Sequence, residues 1–141
     1  VRPSSAPRRC ARWAASATLL ALALTGCGGD ADRDRAVAQV TQRFQAAVDA
    51  GDGAAACRLL APATRDALER DAQAPCADAV LDEDLPPAGD DVDTEVYGTA
   101  AQVRTGTDTV FLGRFDHGWR VTAAGCEASG DAPYRCAVEG G

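Results

Sequence analysis

Apolar side chains recur at steps of three and four between residues 34 and 49. Val37, Val40, Phe44, Ala47 and Val48 share one face, while Arg33, Arg35, Gln39, Gln42 and Arg43 lie mostly elsewhere. That period predicts an amphipathic helix over 34–49, ended by Gly51-Asp52-Gly53. A short helix is expected over 54–60, stopped near Pro62. Another follows over 63–71 with Leu68 inward, and a last helical turn over 76–81 starts after Pro75. Residues 82–91, with Pro86, Pro87, Gly89 and five acids, read as a linker. After it the period changes to two. Val92, Thr94 and Val96 alternate with Asp93, Glu95 and Tyr97, and Ala101 and Val103 alternate with Gln102 and Arg104. Runs over 109–115 and 119–123 follow, with turn residues at Gly98, Thr105-Gly106 and Asp116-His117-Gly118. Helices followed by four strands in an antiparallel meander predict an α+β fold, with the sheet's apolar face covered by the long helix.

Residues 1–26 follow another pattern. Arg2, Arg8, Arg9 and Arg12 precede an apolar run from Ala14 to Leu24, then Thr25-Gly26 and Cys27. The run is about half the roughly 20 residues that a bilayer-spanning helix needs, so it reads as the core of a cleaved signal peptide. Leu24-Thr25-Gly26-Cys27 resembles the lipobox of bacterial lipoproteins, in which small residues let a peptidase reach the backbone and only a thiol can form the thioether. The resemblance implies cleavage between Gly26 and Cys27 and acylation at Cys27, with chains such as palmitate. It implies a protein anchored on the extracytoplasmic face of the membrane. Residues 27–33 are then expected as a lipidated flexible tether. The alternating Asp30, Asp32 and Asp34 do not make a calcium loop, since Arg35 and Thr41 stand where that loop needs Gly and Glu. Arg8-Arg9 raises a twin-arginine export route, which Cys10-Ala11-Arg12-Trp13 fits poorly; the choice of route stays open. Val1 and the absence of Met, Lys, Ile and Asn point to an alternative start codon and a GC-rich genome, so the chain resembles actinobacterial lipoproteins.

Removing the leader changes the charge. The chain carries 14 bases, all Arg, against 21 acids; without the four leader arginines the net charge is about −11. No nucleic-acid partner is expected, because phosphate neutralisation needs an excess of cations. Cys10 leaves with the leader, and Cys57, Cys76, Cys126 and Cys136 remain beside Cys27. An even set in an exported domain is a disulfide framework. Three pairings are open. Cys57–Cys76 and Cys126–Cys136 are favoured, the first within the helical half and the second bracketing a short C-terminal loop, each contributing about 3 kcal/mol. No metal site is expected, given one His and no CxxC spacing.

The ending Phe115-Asp116-His117-Gly118-Trp119-Arg120-Val121, after a long helix and short helices, resembles the last hairpin of the nuclear-transport-factor-two-like, or cystatin-like, roll. Gly51-Asp52, Cys57, Leu59-Leu60, Pro62 and Thr64-Arg65, with Gly125-Cys126 and Tyr134-Arg135-Cys136, also resemble exported actinobacterial members with two disulfides. The resemblance covers residues 34–138 and implies a single disulfide-stabilised α+β domain over 34–141. It does not imply an activity.

The chemical inventory is short. After the leader there is one His, His117, in a turn, and one Ser, Ser129, outside any nucleophile elbow. No Ser-His-acid triad or phosphate-cradling Gly loop is present, and no cofactor is expected. Related isomerases place an Asp base and a Tyr donor in the roll's cone, as the resemblance implies, but no acid here matches that pattern beside Tyr97 or Tyr134. The expectation is a non-catalytic binding domain for a small apolar ligand or an envelope protein. Phe44, Tyr97, Phe111 and Trp119 are candidates to line an apolar cavity. A carboxylate-dependent isomerase or dehydratase is the alternative.

Overall fold

The computed structural model describes residues 28–90 and 92–140. The leader, the expected Gly26/Cys27 cleavage site and the lipidation site Cys27 lie outside the described residues. Four helices come first: α1 (Gly28–Asp49), α2 (Gly53–Leu59), α3 (Pro62–Ala72) and α4 (Cys76–Asp82). Five strands follow: β1 (Val92–Tyr97), β2 (Ala100–Thr105), β3 (Thr109–Phe115), β4 (Gly118–Ser129) and β5 (Ala132–Glu139). They form one antiparallel sheet in the order β1-β2-β3-β4-β5.

The α+β arrangement is as the periodicity indicates. The strand number is not: there are five strands rather than four. The stretch between Cys126 and Cys136, expected as a loop, is a hairpin in which the two cysteines stand opposite one another. Tyr134, Cys136 and Val138 do alternate with Pro133, Arg135 and Ala137, but a proline and a cysteine weaken the strand signal. The Pro133 position is compatible with a strand because β5 is an edge. At the other end, α1 begins at Gly28, so residues 28–33, expected as a flexible tether, are helical. Asp30 pairs with Arg33 and Asp32 with Arg35, both at 2.8 Å across one turn. Acid-base spacing of this kind favours helix where the Gly-rich composition suggests coil.

The core sits between α1 and one face of the sheet. Val37, Val40 and Phe44 of α1 meet Ala101, Val103, Val110, Leu112, Trp119 and Val121 in one buried cluster. Alternation in each strand sends Gln102, Phe111 and Arg120 the other way. Two irregularities bend β4. An extra residue intervenes between Val121 and Ala123 opposite β3, and Gly125 adopts φ +65°. A side chain at Gly125 would also crowd Ala137 and Leu85. Beyond this bend Tyr134 lies on the face away from the helices, edge-on to Phe111 with ring centroids 5.1 Å apart. Its hydroxyl accepts a hydrogen bond from Gln102 Nε2 at 3.2 Å.

Both favoured cysteine pairs are at disulfide distance. Cys57–Cys76 ties α2 to the first residue of α4, and Cys126–Cys136 cross-links β4 to β5. The helices are also joined directly to the sheet. Leu60 forms a parallel bridge with Val121, the Ala61 N–H donates to Val121 O at 2.7 Å, and Thr64 Oγ1 donates to Thr122 O at 3.0 Å. The α2–α3 connection therefore covers the edge of β4 that β5 leaves unpaired.

Candidate functional site

That junction creates a cleft. The α2–α3 connection forms one wall with Leu60 and Pro62, and the β3–β4 turn forms the other with Phe115, Asp116 and His117. Its volume is about 380 Å³, within the range of small-ligand sites. The Cys57–Cys76 disulfide holds the base of the α2 wall, since Cys57 also lines the cleft. The opposite wall is a two-residue hairpin in which Phe115 pairs with Gly118. Phe115 is 40% exposed, yet its ring has a defined seat: it occupies the space that a side chain at Gly113 would need.

Three arginines enter this cleft, Arg58 from α2, Arg65 from α3 and Arg120 from β4. Arg120 alternates with the buried Trp119 and Val121, and its Nη1 donates to Trp119 O at 3.2 Å. That leaves most of its five donors uncommitted. Among the described residues none of the three forms an ion pair, nor do Arg43, Arg114 and Arg135, whereas Arg33, Arg35, Arg70 and Arg104 do. Asp116 is the one carboxylate in the lining. A domain with acids in twofold excess thus assembles three guanidiniums without an ion pair in a cleft whose two walls carry apolar side chains. Such an arrangement can hold a planar or tetrahedral anion through forked hydrogen bonds.

No protein-family model, curated protein or solved structure matches the chain.

The four aromatics considered for an apolar cavity are not brought together. Phe44 and Trp119 are buried in the helix-facing core. Phe111 points to the opposite face against Tyr134, and Tyr97 is 64% exposed at the end of β1. The Glu95 carboxylate raises the Tyr97 phenol above its ordinary value, first through a side-chain hydrogen bond. Glu95 and Asp93 also share Arg104 at 3.3 and 2.8 Å on that outer face. The Trp119 indole N–H is buried without an acceptor among the described residues.

Asp108 is the buried carboxylate, 7% exposed, that sequence reasoning did not single out. The turn Thr105-Gly106-Thr107-Asp108 aims it inward. The Asp108 N–H donates to Thr105 Oγ1 at 3.0 Å, and Thr105 N–H donates to Asp108 O at 2.8 Å. The carboxylate accepts from Cys126 N at 3.0 Å, beside the bend in β4. Burial pushes this carboxyl above its ordinary value, while backbone N–H groups of Gly125, Cys126 and Thr109 oppose the shift. The Gln45 amide lies near enough to favour the ionised form weakly, but its Nε2 makes no hydrogen bond. With its oxygens facing backbone amides, Asp108 secures the bend in β4. It does not line the cleft.

The sequence does not join Arg58, Arg65 and Arg120 into a site, because they belong to separate elements and each reads alone as a solvated residue, and His117 reads only as a turn residue. The available signal was the imbalance itself: few bases in an acidic chain, several of them beside Pro62 and the Gly-Trp-Arg turn. Among the described residues no group of three or more His, Cys, Asp or Glu is placed to hold a metal ion. No described helix is long and apolar enough to cross a membrane.

Proposed function

We propose that the chain is a lipid-anchored, extracytoplasmic lipoprotein whose domain is a non-catalytic binding module, with its ligand site in the cleft of Arg58, Arg65 and Arg120. The observation that carries the binding role is the composition of that cleft: unpaired guanidiniums beside Phe115, Leu60 and Pro62. These groups bind and orient. The tyrosine hydroxyls lie elsewhere, with Tyr134 bonded to Gln102 and Tyr97 on the outer face. Asp108, the buried acid that an isomerase reading needs, is engaged by backbone amides rather than by a phenol.

Anchoring rests on the Leu24-Thr25-Gly26-Cys27 lipobox, and the two disulfides suit an oxidising compartment. A long helix on a bent antiparallel sheet, with short helices at one end, is consistent with a cystatin-like roll of the nuclear-transport-factor-two type. Two or three acyl chains hold a protein at a membrane far more firmly than one. The full chain is expected in washed membranes and labelled by palmitate, and Cys27→Ala is expected in the soluble fraction without label. Equal retention of both overturns the anchoring. Saturable binding of any probe in the cleft, lost on substitution of its lining, supports the binding role.

A further inference from the structure

The cleft also specifies the chemistry of its occupant. We propose that it binds a phosphate monoester carrying an apolar or aromatic substituent, the phosphoryl group held by Arg58, Arg65 and Arg120 and the substituent seated on Phe115. This rests on the reading of the cleft as the ligand site. Three guanidiniums and the single Asp116 carboxylate give the lining a formal charge of about +2, matched by a dianion rather than by a carboxylate. The three arginines come from three elements, α2, α3 and β4, and together offer forked donors enough for the three terminal oxygens of a phosphoryl group. The apolar side chains of the two walls, Phe115, Leu60 and Pro62, give free inorganic phosphate, which is small and fully hydrated, nothing to pack against. Those walls and a cleft of about 380 Å³ leave room for an attached apolar part.

The surrounding charge sharpens the selection. The domain carries a strong net negative charge, against which the three arginines gathered in one cleft stand as a local positive field. The walls are rigid elements: the Cys57–Cys76 cross-link, the Leu60–Val121 bridge and a two-residue hairpin. Backbone ordering therefore adds little to the cost of binding, which falls on the side chains of the exposed Arg58 and Arg65.

Calorimetric titration of the purified full chain tests this with phenyl phosphate, inorganic phosphate, benzoate and benzyl alcohol. Phenyl phosphate is expected to bind at least about tenfold more tightly than any of the others. Arg58→Gln and Arg65→Gln are each expected to weaken it by about tenfold or more, whereas Arg135→Gln, remote from the cleft, leaves it unchanged. Phe115→Ala is expected to reduce phenyl phosphate to the level of inorganic phosphate while leaving inorganic phosphate itself unaffected. Unfolding midpoints measured alongside identify any variant that loses its fold, and the lysine variants Arg58→Lys and Arg65→Lys then replace it.

Benzoate or benzyl alcohol binding as tightly as phenyl phosphate, and lost with Phe115→Ala, overturns the phosphate assignment while keeping the cleft as a ligand site. Absence of saturable binding by all four probes overturns both. An equal loss in Arg135→Gln shows attraction without a site and also overturns the proposal. Two sources share this chemistry. Arg65-dependent flotation with phosphatidylcholine vesicles containing phosphatidate, competed by phenyl phosphate, assigns a lipid headgroup; phenyl phosphate binding without such flotation assigns a soluble ester.

Discussion

Asp108 allows a quantitative test of how the sheet keeps its bend. Asp108→Ala removes the acceptor that Cys126 N–H reaches at 3.0 Å and deprives the Gly125 and Thr109 amides of the same carboxylate. An orphaned buried donor costs about 1–3 kcal/mol. The Cys126 amide is buried, while its neighbours are nearer water, so the total is expected at about 2–4 kcal/mol. For a domain of this size that lowers Tm by about 8–16 °C. Asp108→Asn isolates the charge. The folded-state carboxyl titrates above its ordinary value of 3.8. Between the unfolded and folded values the native state therefore binds more protons than the unfolded state, and stability falls as pH rises. The advantage of wild type over Asp108→Asn is thus expected to be greatest below the ordinary value and to shrink as pH rises through the raised one. Thermal and urea unfolding followed by circular dichroism from pH 3 to pH 7 gives both quantities. A Tm loss below about 2 °C for Asp108→Ala, or an advantage that grows with pH, refutes the reasoning.

Two further outcomes concern the helical half. Gly53→Ala is expected to destabilise by about 2–3 kcal/mol, read as a lower urea midpoint, because the added methyl collides with the Ala77 carbonyl oxygen where α2 crosses α4. The double variant Cys57→Ala/Cys76→Ala is expected to lose about 3 kcal/mol, and reductant is expected to lower the wild-type Tm further, since it opens Cys126–Cys136 too. An unchanged Tm in reductant would count against both cross-links.

Much of this architecture is legible along the chain. The Val37, Val40, Phe44 and Ala47 stripe is the buried face of α1, and Val103, Val110, Leu112, Trp119 and Val121 reach the core at alternating positions. What periodicity does not carry is the effect of the bend in β4. It turns a hairpin that looks like a loop onto the outer face, where Tyr134 meets Phe111. Strict alternation between Val110 and Leu112 already separates Phe111 from Phe44 and Trp119, so a single aromatic cavity conflicts with the pleat. The arginine cleft was hidden for another reason. Its residues converge through one parallel bridge between Leu60 and Val121, a long-range contact with no local signature.

Among the described residues β1 and β5 each have one hydrogen-bonded neighbour, so they are the two edge strands of the sheet. An exposed edge is a template on which another chain can add a strand. Here the outermost strands are poor templates. β1 carries Asp93 and Glu95 beside Arg104, and β5 carries Pro133, which has no N–H to offer, together with Arg135 and Glu139. At high local concentration edge-to-edge stacking would otherwise grow into aggregates. Charge on one border and a missing donor on the other oppose that growth without any change to the core.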